Sequence, residues 1–574
     1  MKESKLYDIK KVADFRELLL HCEEEHAENT AFLWRSTEAE DGNARRTYAD
    51  LVNGVRALAS YLSAHGYRGK NIAVIGKNSY EWVLSYFTAA IIGNFVVPLD
   101  RELHADEIAS LSKDAECAAI LYTADMEEKL ISLDLTADKL PLASLEDMLA
   151  EGRALREAGD TAFEDVEIDA DAVSILLYTS GTMGVAKGVM LTQGNICYDV
   201  CTVLTQIAVY PTDRMLSHLP LHHTYECLTE IAMLYAGGSI AYNDSMRRLP
   251  ADFAHFKPSL LVTVPAVLAF MSRFINKGYS EARGGKVLLA AQKAASATAS
   301  TIALFDRDVA MKQKRKIFST VSNFLGSNLR LLLVGAAALS PSLFRTFEEC
   351  GFTVYCGYGL TETSPIATMH TDAYHKSGDI GMPVPGVDVR IDDPDENGIG
   401  EICIRGPIVM KGYYHNEEAS AEALRDGWFH TGDLGKLAKN GALVITGRKK
   451  SMIVATNGKK IFPEELEAYL EKNDIVKESF VYADDKNGKQ IIVAAVYPDE
   501  GAVVKELGLQ PTDEGFMEAQ KELFSALVSR INASFPAYKH ISRLVIRKTP
   551  FEKTTTQKIR RNAEGNKNET DAIV

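Results

Sequence analysis

Tyr178-Thr179-Ser180-Gly181-Thr182-Met183-Gly184-Val185-Ala186-Lys187-Gly188-Val189 is the stretch around which the rest of the chain is read. Just ahead of it, Ala172 to Leu177 is a short apolar run containing Val173 and Ile175, the pattern of a buried strand. That strand empties into a loop of hydroxyls, glycines and one lysine. Such a loop suits phosphate, because glycine lets backbone N–H groups come close to an anion, hydroxyls add donors, and Lys187 supplies a point charge. A Walker loop requires Gly-Lys followed by Ser or Thr, and that triplet occurs nowhere in the chain.

Outward from this loop, composition sets the bounds. At 574 residues the chain is too long for one core, and about two to four domains are expected. An apolar content of 46% with 25% charged residues is that of a globular protein. A formal net charge of −15 argues against nucleic acid as the main partner, since phosphate backbones attract basic surfaces. The eight cysteines lack Cys-x-x-Cys spacing, so reduced buried thiols and a cytoplasmic location are expected. Met1 to Arg16 lacks the apolar core of a signal peptide. Trp82 to Leu99 carries no charge but is broken by Gly93-Asn94 and stopped by Pro98, which reads as a buried helix turning into a strand.

Periodicity predicts a helix over Thr47–Leu62, a strand over Asn71–Ile75, a helix over Tyr80–Ile92 and a strand over Phe95–Leu99. This alternation predicts an α/β fold with helices on the faces of a sheet. Residues 122–170 read as an acidic, irregular excursion. Ala290 to Leu304 is helical in pattern and is followed by Lys312-Gln313-Lys314-Arg315-Lys316, either a solvated helix face or a contact with anionic membrane lipid. Leu329–Val334 is a further strand leading into Gly335-Ala336-Ala337, with a helix over Ser342–Cys350 and a strand over Thr353–Tyr355 after it. The alternation within Gly386–Pro407 suggests an antiparallel β subdomain. Beyond Gly447 a charged, compact α/β segment runs to about Arg561, and the tail from about residue 562 is expected to be disordered.

Four further motifs follow. Gly357-Tyr358-Gly359-Leu360-Thr361-Glu362-Thr363 begins like a dinucleotide fingerprint but has glutamate in place of the third glycine. Trp428 to Gly435 contains Asp433 between turn residues, Gly447 to Ile453 contains Arg448, Lys449 and Lys450, and Pro550 to Arg561 contains Lys558. Together with the central loop, and in this order, these motifs resemble those of the adenylate-forming acyl-CoA synthetases, most like the bacterial long-chain fatty acid group. The resemblance spans from about residue 25 to Arg561. It departs at Met183, Ala186 and Gln557, where the family usually has threonine, proline and glycine.

The resemblance implies a large N-terminal domain, residues 1–449, of two α/β sheet subdomains and a β-barrel-like subdomain. A small mobile α/β domain, residues 450–574, rotates about a hinge at Lys450 between half-reactions. It implies ATP-dependent conversion of a fatty acid to an acyl-adenylate, then transfer to CoA. Thr179, Ser180, Gly181, Thr182, Gly184 and Lys187 would hold the ATP phosphates. Gly335, Ala336, Ala337, Gly357, Tyr358 and Gly359 would surround the nucleotide, Tyr358 stacking on adenine. Thr361 would meet the α-phosphate, and Glu362 with Thr182 would hold Mg²⁺. Asp433 would accept the ribose hydroxyls, Arg448 would touch ribose or phosphate, and Gly458 would border the pantetheine tunnel. Lys558 would bridge carboxylate and phosphate. His223 either lines the carboxylate site or caps a packed turn. Other readings stay open: an acyl carrier protein as acceptor, an aryl or medium-chain acid, a silent nucleotide-binding paralogue, or a peripheral contact at the inner membrane face. Oligomeric state is open too, a homodimer included.

Overall fold

Thr47 starts the first long helix because its hydroxyl accepts from Asp50 N (3.1 Å) while the Asp50 carboxylate accepts from Thr47 N (2.8 Å), a reciprocal cap. The helix Tyr48–Ala64 then buries Leu51, Val55, Leu58 and Leu62 along one stripe. The strand Asn71–Ile75 is buried throughout, Ser79 caps the helix Tyr80–Ile92, and the strand Val96–Leu99 follows. The charge-free stretch is thus a buried helix and a buried strand. In this computed structural model the described residues are 6–179, 186–281, 285–302, 307–454, 460–486, 489–553, 559–561, 563–567 and 572–573. Among them no helix is long and apolar enough to cross a membrane.

The chain forms two units, Met1–Val389 with Ile404–His430, and Arg390–Cys403 with Thr431–Val574. The first holds two large sheets. One has nine strands in the spatial order Met382–Pro383, Thr368–Met369, Thr353–Tyr358, Leu331–Val334, Leu260–Thr263, Arg214–Ser217, Ser239–Tyr242, Thr30–Arg35 and Asn43–Thr47. Its middle is parallel and its two ends are antiparallel. The other has seven strands, in the order Gly412–Tyr413, Lys187–Thr192, Val173–Thr179, Val96–Leu99, Asn71–Ile75, Cys117–Tyr122 and Asp138–Pro141. Helices cover the faces, as parallel strands require. All eight cysteines are buried and none is in a disulfide.

Residues 122–170 are not an irregular excursion. Asp138–Pro141 extends the seven-stranded sheet, and the helix Leu145–Glu157 packs on Tyr48–Ala64. Gly152 permits that packing, since a Cβ there would lie 1.9 Å from the Ala57 carbonyl oxygen. Its surface charges hid this segment, because a helix with one buried stripe can still be acidic on average. The basic run lies on the helix Arg307–Ile317, and it does more than face solvent. Lys314 Nζ and Arg315 Nη1 donate to the carbonyls of Glu348 (3.5 Å) and Gly351 (2.6 Å), the C-terminal end of the helix Pro341–Glu349. Lys312 and Lys316 remain exposed.

In the second unit the strands Val476–Lys486, Lys489–Pro498, Arg543–Arg547 and Ala572–Ile573 make a four-stranded sheet, with Leu466, Phe524 and Leu527 of its helices in the core. The tail, expected to be disordered, is partly ordered. Glu564–Lys567 forms a helical turn, and the fully buried Asn566 accepts from Glu552 N (2.8 Å) and donates to the carbonyls of Glu552 (3.1 Å) and Arg560 (2.8 Å). A tail that supplies partners to buried backbone groups is held whatever its charge.

The core of the first unit contains two carboxyl groups one helical turn apart, Glu226 and Glu230, which are 0% and 1% exposed. Glu226 accepts from His218 N (3.1 Å) and Glu230 from the Tyr242 hydroxyl (3.2 Å). Burial pushes both carboxyls up, Glu230 to about 8, with the neighbouring Glu230 charge adding to the rise at Glu226. The folded protein therefore holds a proton on Glu230 that the unfolded chain gives up near pH 4.5. Stability is full below that value and falls as pH rises towards about 8, by up to about 1.4 kcal/mol per pH unit. Glu230→Gln removes this slope. Its melting temperature relative to the unsubstituted protein is expected to rise steadily between pH 5 and pH 8, and a difference that does not change with pH would contradict the assignment.

Candidate active site

Two strand ends bracket the central loop. Val173–Thr179 pairs antiparallel with Lys187–Thr192, and the last pair of the ladder is Thr179 with Lys187. Both residues are thus fixed by backbone hydrogen bonds at the rim of the seven-stranded sheet. Ser180, Gly181, Thr182 and Gly184 lie outside the described residues. Lys187 is half-buried, with its ammonium 4.6 Å from the centre of the Tyr413 ring.

The second element is the strand Thr353–Tyr358 and the tight turn Thr361–Thr363 beyond it. Gly357 and Tyr358 pair with Met369 and Thr368, which holds both at a sheet end. A side chain at position 359 is impossible without rearrangement, because its Cβ would sit 1.8 Å from the Pro365 carbonyl oxygen. The turn presents Thr361 and Glu362, and Glu362 accepts from the Tyr413 hydroxyl at 2.9 Å. Beneath it, the fully buried Asp199 accepts from Ile366 N at 2.9 Å, and burial pushes its carboxyl well up. The turn is therefore anchored from the helix Gln193–Leu204.

Gly335-Ala336-Ala337 leaves the neighbouring strand Leu331–Val334. A Cβ on Gly335 would meet the Tyr225 ring at 2.8 Å, and Ala336 adopts φ +64°, a left-handed conformation that is unfavourable for a residue with a side chain. Strain of this kind marks a loop held by its surroundings. His223 occupies the position before the helix Thr224–Tyr235, where its side chain makes no capping hydrogen bond. Its ring lies 4.1 Å from that of His222, whose Nε2 is 3.4 Å from an Asp100 oxygen at the end of Val96–Leu99.

The second unit carries a separate set. Asp433 and Arg448 are opposite each other on adjacent antiparallel strands, and their side chains pair at 2.9 Å with Asp433 nearly buried. Glu401 ties the same place together, accepting from Gly432 N (3.1 Å) and Lys449 Nζ (2.9 Å). Lys450 is exposed. Gly458 and Lys558 lie outside the described residues. The residues flanking the Lys558 segment are held: Lys553 pairs with Glu478 (2.8 Å), and Arg561 with Glu467 (2.5 Å).

Within the first unit the structure thus brings Thr179, Lys187 and Glu362 into one neighbourhood through Tyr413, a residue that the sequence reading did not single out. Nor did it single out Asp199 or Glu401. Gly412-Tyr413 carries no charge and no periodic signal, and its place follows from pairing with a strand more than two hundred positions earlier.

Residues 20–414 match the family described as AMP-binding enzyme, and residues 450–570 match its C-terminal domain. Similar relatives include the long-chain-fatty-acid–CoA ligase FadD15 of Mycobacterium bovis, 29% identical over 77% of this chain and 75% of its own. The peroxisomal long chain acyl-CoA synthetase 7 of Arabidopsis thaliana is 28% identical over 86% of this chain and 75% of its own. The fold is shared with the o-succinylbenzoate CoA synthetase of Bacillus subtilis, solved with an acyl-adenylate, at a TM-score of 0.72 and 21% identity, covering 97% of this chain and 99% of that one. With the first family match covering more than half of its length and the second following in order, the chain belongs to the AMP-binding, adenylate-forming enzyme family.

Proposed function

We propose that this protein is a long-chain fatty acid–CoA ligase, which converts a fatty acid and ATP to an acyl-adenylate and diphosphate and then transfers the acyl group to CoA, releasing AMP. The observation that carries this reading is the convergence of Lys187 and Glu362 on one tyrosine at the ends of two sheets. The reaction needs such a place. A carboxylate attacking the α-phosphorus brings two anions together, so the protein must neutralise charge and hold geometry.

Lys187, with the hydroxyls of Thr179, Ser180 and Thr182 and the glycines Gly181 and Gly184, holds the β- and γ-phosphates. Tyr358 stacks on adenine, in a pocket formed by Gly335, Ala336, Ala337, Gly357 and Gly359. Thr361 donates to the α-phosphate. Glu362, with Thr182, holds Mg²⁺, which when bound offsets phosphate charge. A single carboxylate on a rigid turn fits this ion, which keeps several waters beside a nucleotide. Asp433 receives the ribose hydroxyls. Arg448, which pairs with Asp433 at 2.9 Å, touches ribose or phosphate beside it. Lys558 bridges the attacking carboxylate and the α-phosphate, and His223 faces the acid. Lys450 is the hinge between residues 1–449 and 450–574, and Gly458 borders the path of the CoA thiol.

The relatives above are named for long-chain acids, which supports a long alkyl chain over an aryl acid.

Lys558→Ala is expected to lower adenylation by about 10²-fold or more, the scale of one preorganised charge, while preformed acyl-adenylate is still converted to thioester. Equal loss in both half-reactions would contradict the role given to Lys558. Asp433→Ala is expected to act chiefly on the KM for ATP, and an unchanged ATP dependence would show the ribose contact to be misplaced.

A further inference from the structure

Tyr413 touches two charged groups at once, Lys187 through strand pairing and Glu362 through its hydroxyl. Gly412–Tyr413 runs antiparallel to Lys187–Thr192, with Tyr413 opposite Val189. Lys187 is two residues before Val189, so it is the diagonal neighbour of Tyr413 on the same face, within reach of a long side chain. Its ammonium lies 4.6 Å from the ring centre. From the same ring the hydroxyl donates to Glu362 Oε1 at 2.9 Å.

The tyrosine has little freedom. Its side chain is 9% exposed. Its amide donates to Ser420 Oγ (2.8 Å) and its carbonyl accepts from the same hydroxyl (3.3 Å). On either side, Tyr414 N donates to the Gly188 carbonyl (2.7 Å) and Met410 N to the Glu362 carbonyl (2.9 Å). One segment of five residues is therefore sewn to both the lysine strand and the glutamate turn.

We propose that Tyr413 is a positioning residue that presents the Glu362 carboxylate to nucleotide-bound Mg²⁺ and, with its ring, the Lys187 ammonium to the phosphates. This rests on the roles given above to Glu362 and Lys187. A free ammonium and carboxylate in one neighbourhood are drawn into a direct pair, which would leave neither aimed at ATP. The phenol prevents this with two contacts of different kinds: a hydrogen bond that fixes the carboxylate's rotamer and a ring face that seats the cation. The two contacts predict separable losses. Tyr413→Phe keeps the ring and removes only the hydroxyl, whereas Tyr413→Leu removes both.

The test is calorimetric titration of ATP into the full-length protein without acid or CoA, in Mg²⁺ and in a chelator. The unsubstituted protein should bind ATP more tightly with Mg²⁺. Tyr413→Phe is expected to lose about tenfold of that metal-dependent gain, the scale of one charge-assisted hydrogen bond, while its affinity for metal-free ATP changes less than about twofold. Tyr413→Leu should lose the same gain and also bind metal-free ATP about threefold or more weakly, as the seat of Lys187 goes. An undiminished metal gain in Tyr413→Phe, or equal weakening with and without Mg²⁺, would overturn the proposal. Indifference of the unsubstituted protein to Mg²⁺ would overturn the role of Glu362 itself, and this proposal with it.

Discussion

The antiparallel ladder between Val173–Thr179 and Lys187–Thr192 is the constraint on which the proposed phosphate site depends. It closes on Thr179 and Lys187, so the sheet fixes these two residues in place. The same inner strand accepts Gly412–Tyr413 on its other side. A lysine, a threonine and a tyrosine from three places in the chain are held to a common frame by backbone hydrogen bonds, whose geometry tolerates little slippage. Rigid support of this kind suits electrostatic chemistry, where charges must be in place before the reaction begins.

Around that frame the protein places acidic groups where water cannot reach them. Asp199 beneath the Thr361–Thr363 turn and Glu226 and Glu230 under the His222–His223 loop are almost wholly buried. One oxygen of each accepts from an amide or a hydroxyl while the other has no hydrogen-bond partner among the described residues, and burial raises each carboxyl well above its ordinary value. Such groups anchor loops through hydrogen bonds from within the core. The second unit does the reverse: Asp433 and Glu401 meet Arg448 and Lys449 as ions at a partly exposed edge.

Local signals were legible in the sequence and long-range ones were not. Asn71–Ile75 and Tyr80–Ile92 form over the residues their periodicity indicates, because a buried strand and a buried helix are nearly continuous apolar runs. The helix Leu145–Glu157 was missed because its exposed charges outweigh its one buried stripe. The ordered turn at Glu564–Lys567 was missed because it depends on Asn566, one polar residue whose partners are backbone groups elsewhere. Of the site, Lys187, Glu362 and Asp433 stood out by the motifs that contain them. Tyr413, Asp199 and Glu401 did not, since each acts by meeting a residue that is distant in sequence, and no spacing rule encodes such a meeting.

The central claim is that a fatty acid carboxylate is activated at this site by adenylation. Its most direct test is exchange of labelled pyrophosphate into ATP without CoA, measured across acids from acetate to palmitate and including benzoate and cholate. Exchange that depends on the acid and is greatest for long alkyl chains is the predicted result. ATP binding without exchange for any of these acids, or exchange that is greatest for benzoate or cholate, would contradict it.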